Sequence, residues 1–241
     1  EPLEGAGPFA PLLGERAESG SGLHRVKHIV DETFLEYQAD VSNFAHGVPS
    51  ELDSRRLTGS TTKYVEVTVV NDKRRYDAFG GSSGLTNLAT HSTSVINGVT
   101  TIYRTAPTNG AQFPFTVQVV LVGQHTIVDA DPWESAVHMN AAETNAEHLL
   151  EHFNVWSQDQ QGAGSLTSSD NRVLLSARDF SGNTVGMAGL SAMCDLWSSG
   201  NVNMCGATSA EIPRCAAIVS HEMGHNLGMS HDGPGNACPQ S

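Results

Sequence analysis

Two hydrophobic periods alternate along most of this chain. Residues 63–71 (KYVEVTVVN) place Val65, Val67 and Val69 at every second position among β-branched neighbours, which predicts a strand. Residues 115–128 read the same way, and 172–177 and 184–193 read as shorter strands. Between and after them, residues 83–104, 134–156 and 213–227 space their apolar positions three and four apart, as helices do. Strands interleaved with helices predict an α/β (α+β) domain.

Upstream the pattern changes. Residues 1–22 are rich in Gly, Pro, Ser and Glu and read as a flexible segment. Leu23, Val26, Val30, Phe34, Tyr37, Val41 and Phe44 then recur at helical spacing, predicting an amphipathic helix over about 23–46 that Gly47 and Pro49 end. The division expected is therefore a tail or linker, 1–62, and a domain, 63–241.

The last predicted helix carries the chemistry. Residues 221–232 read HEMGHNLGMSHD. His221 and His225 lie one turn apart on one helical face, so both rings reach a single ion. Glu222 follows directly and points beside the ion, where a carboxylate acts as general base and not as ligand. Gly228 can adopt φ > 0, end the helix and turn the chain so that His231 returns as third ligand. Three protein ligands with a fourth position open to water mark a catalytic zinc site. The pattern His148-Leu149-Leu150-Glu151-His152 also pairs two histidines with a carboxylate at helical spacing. No further ligand stands out for it, and it reads as a packing helix.

The run 221–232 resembles the zinc motif of the metzincin peptidases, and Asp232 after the third histidine resembles the adamalysin/reprolysin (ADAM-like) branch. The stretches 63–67, 119–123 and 182–188, with Met193-Cys194, are similar to that family's strands. The resemblance implies a metzincin-like fold, with a mixed, mostly parallel twisted sheet, long helices and an active-site helix. It also implies a zinc-dependent endopeptidase that hydrolyses peptide bonds of extracellular proteins, secreted or in the ectodomain of an anchored protein. It gives Asp232 a structural role beside Gly228 in holding the active-site turn. It makes Gly186, Met187, Ala188 and Gly189 the edge strand onto which an extended substrate adds. It places Glu66 and Asp131 at two positions of a calcium site. It reads residues 1–62 as propeptide-like, with Arg55-Arg56 near a maturation junction. Metzincins also carry a methionine turn downstream of the third histidine. Only nine residues follow Asp232 and none is methionine, so a truncated domain with an incomplete C-terminal subdomain is expected. The alternative is a truncated or degenerate relative that binds proteins without cutting them.

A net charge of −13 argues against nucleic acid and anionic membrane surfaces as partners and says little about substrate, so protein or peptide substrates are what the resemblance implies. No apolar run reaches the length of a membrane span. All four cysteines, Cys194, Cys205, Cys215 and Cys238, lie in the last fifth of the chain, where an oxidising compartment would staple the site. Four cysteines allow three pairings. The family resemblance leaves Cys205 and Cys215 to pair with each other, with Cys194 and Cys238 bonded to cysteines beyond residue 241.

Overall fold

The computed structural model describes residues 62–105, 115–135 and 144–231, together with the backbone of 23–27. Six strands form one sheet in the order β1-β5-β6-β4-β2-β3. They are β1 (Leu23–Lys27), β2 (Thr62–Asn71), β3 (Thr116–Thr126), β4 (Asn171–Ser176), β5 (Thr184–Gly189) and β6 (Gly200–Met204). Pairs β2·β3, β2·β4 and β4·β6 are parallel, while β5 runs antiparallel to β6 and β1 antiparallel to β5. Among the described residues, four α-helices accompany the sheet: α1 (Lys73–Ala78), α2 (Leu85–Arg104), α3 (Ala146–Gly162) and α4 (Ile212–Asn226).

Alternation along the strands divides the core. Val65, Val67 and Val69 of β2, with Val173 and Leu175 of β4, pack against Val95, Ile96 and Val99 of α2 and Ala216, Val219 and Met223 of α4. Val70, Leu174 and Val202 face the other way, onto Leu149, Leu150 and Phe153 of α3 and onto Trp133. Central strands covered on both faces leave Val69, Val70 and Asn71 of β2 and all of β4 buried. The mixed, mostly parallel sheet is the metzincin-like arrangement anticipated from sequence.

Three expectations need correction. Leu23–Lys27 is a strand, so the amphipathic helix does not begin at residue 23. Main-chain bonds to a sheet edge outweigh the helical spacing of isolated apolar residues, as tertiary context overrides propensity. The rest of that helix (28–46), the segment 1–22, and Arg55-Arg56 lie outside the described residues. Next, the helix expected over 134–156 starts only at Ala146. Asn145 caps it, accepting from the His148 N–H at 3.0 Å, while Trp133 is buried in a turn and Thr144 bridges to Phe180. Finally, β5 stops at Gly189, short of residue 193, because the chain turns there with Ser191 at φ 55°. Helix α1 and strand β6 were not anticipated.

A disulfide joins Cys205, just past β6, to Cys215 on α4, which is the local pairing that the family resemblance left to these two. It fastens the first half of α4 to the sheet two turns before His221. Cys194 stands exposed, its thiol donating to Asp170 Oδ1 at 3.6 Å, and Cys238 lies outside the described residues.

Candidate metal centre

Helix α4 starts behind a capping box formed by Thr208 and Glu211, with proline in its first turn. It ends as the sequence predicts. Gly228 has φ 95°; its N–H donates to His225 C=O, and the Met229 N–H donates to Gly224 C=O, both at 2.9 Å. This pair of bonds is the Schellman termination, and the left-handed residue it needs is the glycine. The turn brings His231 back over the helix.

The Nε2 atoms of His221, His225 and His231 converge at mutual distances of 3.0–3.1 Å. His225 Nδ1 donates to the Met229 carbonyl at 2.7 Å, which leaves its Nε2 as a lone pair. Three nitrogens of only two kinds, donor or acceptor, must include one like pair, so hydrogen bonding cannot satisfy the cluster. A cation accepting three lone pairs does satisfy it. Burial and the neighbouring rings His225 and His231 push His221 down to about 4, so it is neutral and ready to ligate near pH 7. Among the described residues, this triad is the only group of three or more His, Cys or acidic side chains close enough to share an ion. Three imidazoles and no thiolate suit zinc in an open, catalytic site.

Glu222 is fully buried, and neither carboxylate oxygen has a hydrogen-bond partner. Burial pushes its carboxyl well above the usual carboxylate range, which makes its anion a stronger base. Its neighbour across the cleft is the backbone of β5. A Cβ on Gly186 would overlap the Glu222 carboxyl group, so only glycine fits there. An apolar recess of about 340 Å³ opens beside His221, lined by Ile102, Tyr103, Ala217, Ser220 and Met229.

The remaining expected residues are placed differently. Asp232 lies outside the described residues. Gly186, Met187, Ala188 and Gly189 do lie on β5, but β5 is not the sheet's edge. Strand β1 covers it, pairing Leu23 with Gly189, His24 with Ala188 and Arg25 with Met187. On α3, Leu149 and Leu150 are buried while His148 and Glu151 face solvent, so the second histidine pair belongs to a packing helix.

The calcium expectation is corrected. Asp131 accepts from the Lys73 N–H at 2.8 Å and pairs with Arg178 Nη2 at 2.9 Å. Lys73 follows the C-terminal end of β2, seven residues past Glu66, or about 20 Å along an extended strand. Glu66 and Asp131 therefore cannot share one ion. The carboxylate nearest the Glu66 backbone is Asp170, whose Oδ2 accepts from the Glu66 N–H at 2.9 Å.

Around Arg178 the carboxylates compete. Asp72, buried at the start of α1, accepts from the Arg75 N–H at 2.7 Å and from the Ser176 hydroxyl. Arg178 is closer to Asp131 (2.9 Å) than to Asp72 (3.8 Å). Burial first, and the Asp131 charge second, raise Asp72 from 3.8 to about 6. Stability from this group is full below its unfolded value of 3.8 and is lost as pH rises through about 6. Asp72→Asn retains the cap and cannot ionise. In urea melts, its stability relative to wild type is expected to rise by roughly 3 kcal/mol between pH 3.5 and 7.5. A constant difference across that window would show that Asp72 titrates normally.

The model of the Reprolysin (M12B) family zinc metalloprotease matches residues 63–241. This chain belongs to that family. Over 190 residues it is 30% identical to the human disintegrin and metalloproteinase domain-containing protein 15, covering 77% of this chain and 19% of that protein. It is 29% identical over 183 residues to the mouse disintegrin and metalloproteinase with thrombospondin motifs 16, covering 73% of this chain and 13% of that one. The chain thus spans less than a fifth of these relatives' lengths. The matched reprolysin region contains the triad, Glu222, β5 and the disulfide, while β1 lies upstream of it. No helix among the described residues is long and apolar enough to cross a membrane.

Proposed function

We propose that this reprolysin domain is a zinc-dependent endopeptidase that hydrolyses peptide bonds of extracellular proteins. The observation that carries the reading is the convergence of His221, His225 and His231 beside a buried, unpartnered Glu222. His221, His225 and His231 would hold the zinc. Zinc at this position supplies Lewis acidity, polarising the scissile carbonyl and acidifying water. Glu222 takes a proton from the attacking water and returns it to the leaving amine. Residues 186–189 of β5 align an extended substrate by main-chain hydrogen bonds. Asp232 supports the turn at Gly228. The Cys205–Cys215 disulfide supports an oxidising, extracellular setting.

Metal content and cleavage test this directly. The full-length protein is expected to carry one zinc per domain, to cleave an unfolded protein, to stop when a chelator removes the metal, and to resume when zinc is restored. A zinc-loaded protein without cleavage would favour the binding-only alternative.

A second reading concerns regulation. Residues 1–62 act as a propeptide-like segment, because β1 occupies the face of β5 that a substrate strand would use. The strand lies antiparallel to β5, with a register shift between Arg25 and Lys27. Substrate and β1 then compete for one set of backbone groups.

A further inference from the structure

Four of the buried asparagines form one hydrogen-bonded network under the sheet, on the side of α4. Asn171 belongs to β4, Asn201 and Asn203 to β6, and Asn226 is the last residue of α4. Asn226 Oδ1 accepts from Asn171 Nδ2 at 2.8 Å and from Asn201 Nδ2 at 3.1 Å. Its Nδ2 donates to the Gly189 carbonyl at 3.0 Å and, at 3.5 Å, to the Gly200 carbonyl. Asn201 Nδ2 also donates to Asn171 Oδ1, and Asn203 Nδ2 to Asn201 Oδ1.

The same helix end holds the chain that leaves β5. The Met193 N–H donates to the Asn226 carbonyl, and the Ser191 N–H to the His225 carbonyl, each at 2.8 Å. Three bonds to residues 189, 191 and 193 therefore converge on the dipeptide His225-Asn226. One member of that dipeptide belongs to the triad, and the other reaches the strand on which an extended chain lies.

Zinc chemistry asks nothing of position 226. The ligands and base are fixed by residues 221, 222, 225 and 231, and the turn by 228. A buried carboxamide costs desolvation unless its donors and acceptor are used, and here they are used to link three strands to one helix end. We propose that Asn226 is a positioning residue that sets the height of the end of β5 over the triad, and so governs how extended chains bind, without contributing to metal binding. This inference rests on the peptidase reading for its kinetic consequence and on the hydrogen bonds alone for its structural one.

The test compares wild type with Asn226→Ala and Asn226→Asp in the full-length protein. One substrate is an unstructured peptide long enough to pair along all of β5. The other is a blocked reporter too short to pair there. For Asn226→Ala, zinc stoichiometry is expected to stay unchanged, and kcat/KM on the long peptide to fall about ten- to hundredfold, mostly through KM. The short reporter is expected to change less than about threefold on the same argument. Asn226→Asp keeps the acceptor but sets an oxygen against the Gly189 carbonyl, and should lose at least as much. Equal losses on both substrates, loss of zinc, or wild-type behaviour of Asn226→Asp each overturn the proposal.

Hydrogen exchange on Asn226→Ser provides a readout independent of turnover. Amides 187–193 should exchange faster while the middle of α4 is unchanged. Uniform loosening of the domain, or no change, overturns the proposal. A wild-type protein without turnover defeats the peptidase reading, and this exchange pattern then decides the role of Asn226.

Discussion

Glu222→Gln is expected to lower peptide hydrolysis by about two to four orders of magnitude, the range attributed to a positioned general base. Zinc binding should persist, because the three imidazoles are untouched. A glutamine cannot accept the water's proton, so the loss should fall on kcat while KM changes little. The substitution also removes a carboxylate that is buried with no hydrogen-bond partner. The melting temperature is therefore expected to hold or rise, as when an active-site charge kept for function is deleted. Zinc stoichiometry, steady-state kinetics and a thermal melt on one preparation check all three parts. A fully active Glu222→Gln protein would falsify the assignment of the base.

Removing residues 1–62 is expected to raise activity on an unfolded protein. A tethered strand faces β5 at an effective concentration in the millimolar range, so even a weak β-pairing peptide blocks the site when tethered. Roughly tenfold higher kcat/KM is the expected scale for a segment whose free affinity is near 0.1 mM. Arg25→Pro offers a subtler route. Arg25 pairs with Met187, and proline there fixes φ near −65°, away from the extended geometry of an antiparallel strand. If neither change alters the rate, β1 does not guard the site.

The zinc motif was legible because its geometry is local. His221, His225 and Gly228 act within two helical turns, and helix periodicity is the most dependable signal in a sequence. Strand β2 was legible for a similar reason: its valines recur at every second position. Strand β6 was not. Its sequence GNVNM alternates polar and apolar residues, yet Asn201 and Asn203 are buried, their amide N–H groups donating to Asn171 Oδ1, Asn201 Oδ1 and the Leu174 carbonyl. Hydropathy treats such residues as surface.

Strand β1 was hidden because its register depends on a partner some 160 residues away. Nothing within LHRVK distinguishes a strand from the first turn of a helix. The late start of α3 could have been read from Asn145, a strong N-cap placed just before Ala146-Glu147. Asp131 and Glu66 do not meet because Asp131 sits at Lys73, beyond the end of β2, and the length of the strand past Glu66 separates them.

Gly186 has a consequence for how recognition and chemistry communicate. The Glu222 carboxyl group packs against this residue, and the next three residues of the same strand, 187–189, are the ones that pair with an added chain. A single ply of backbone is thus both the bench on which a peptide rests and the back wall of the proton carrier. On the proposed reading, a peptide that pairs along β5 holds that ply flat and steadies the wall behind it. One too short to pair leaves the wall slack, so the length of a chain, and not only the bond offered for cleavage, sets how well the base is held.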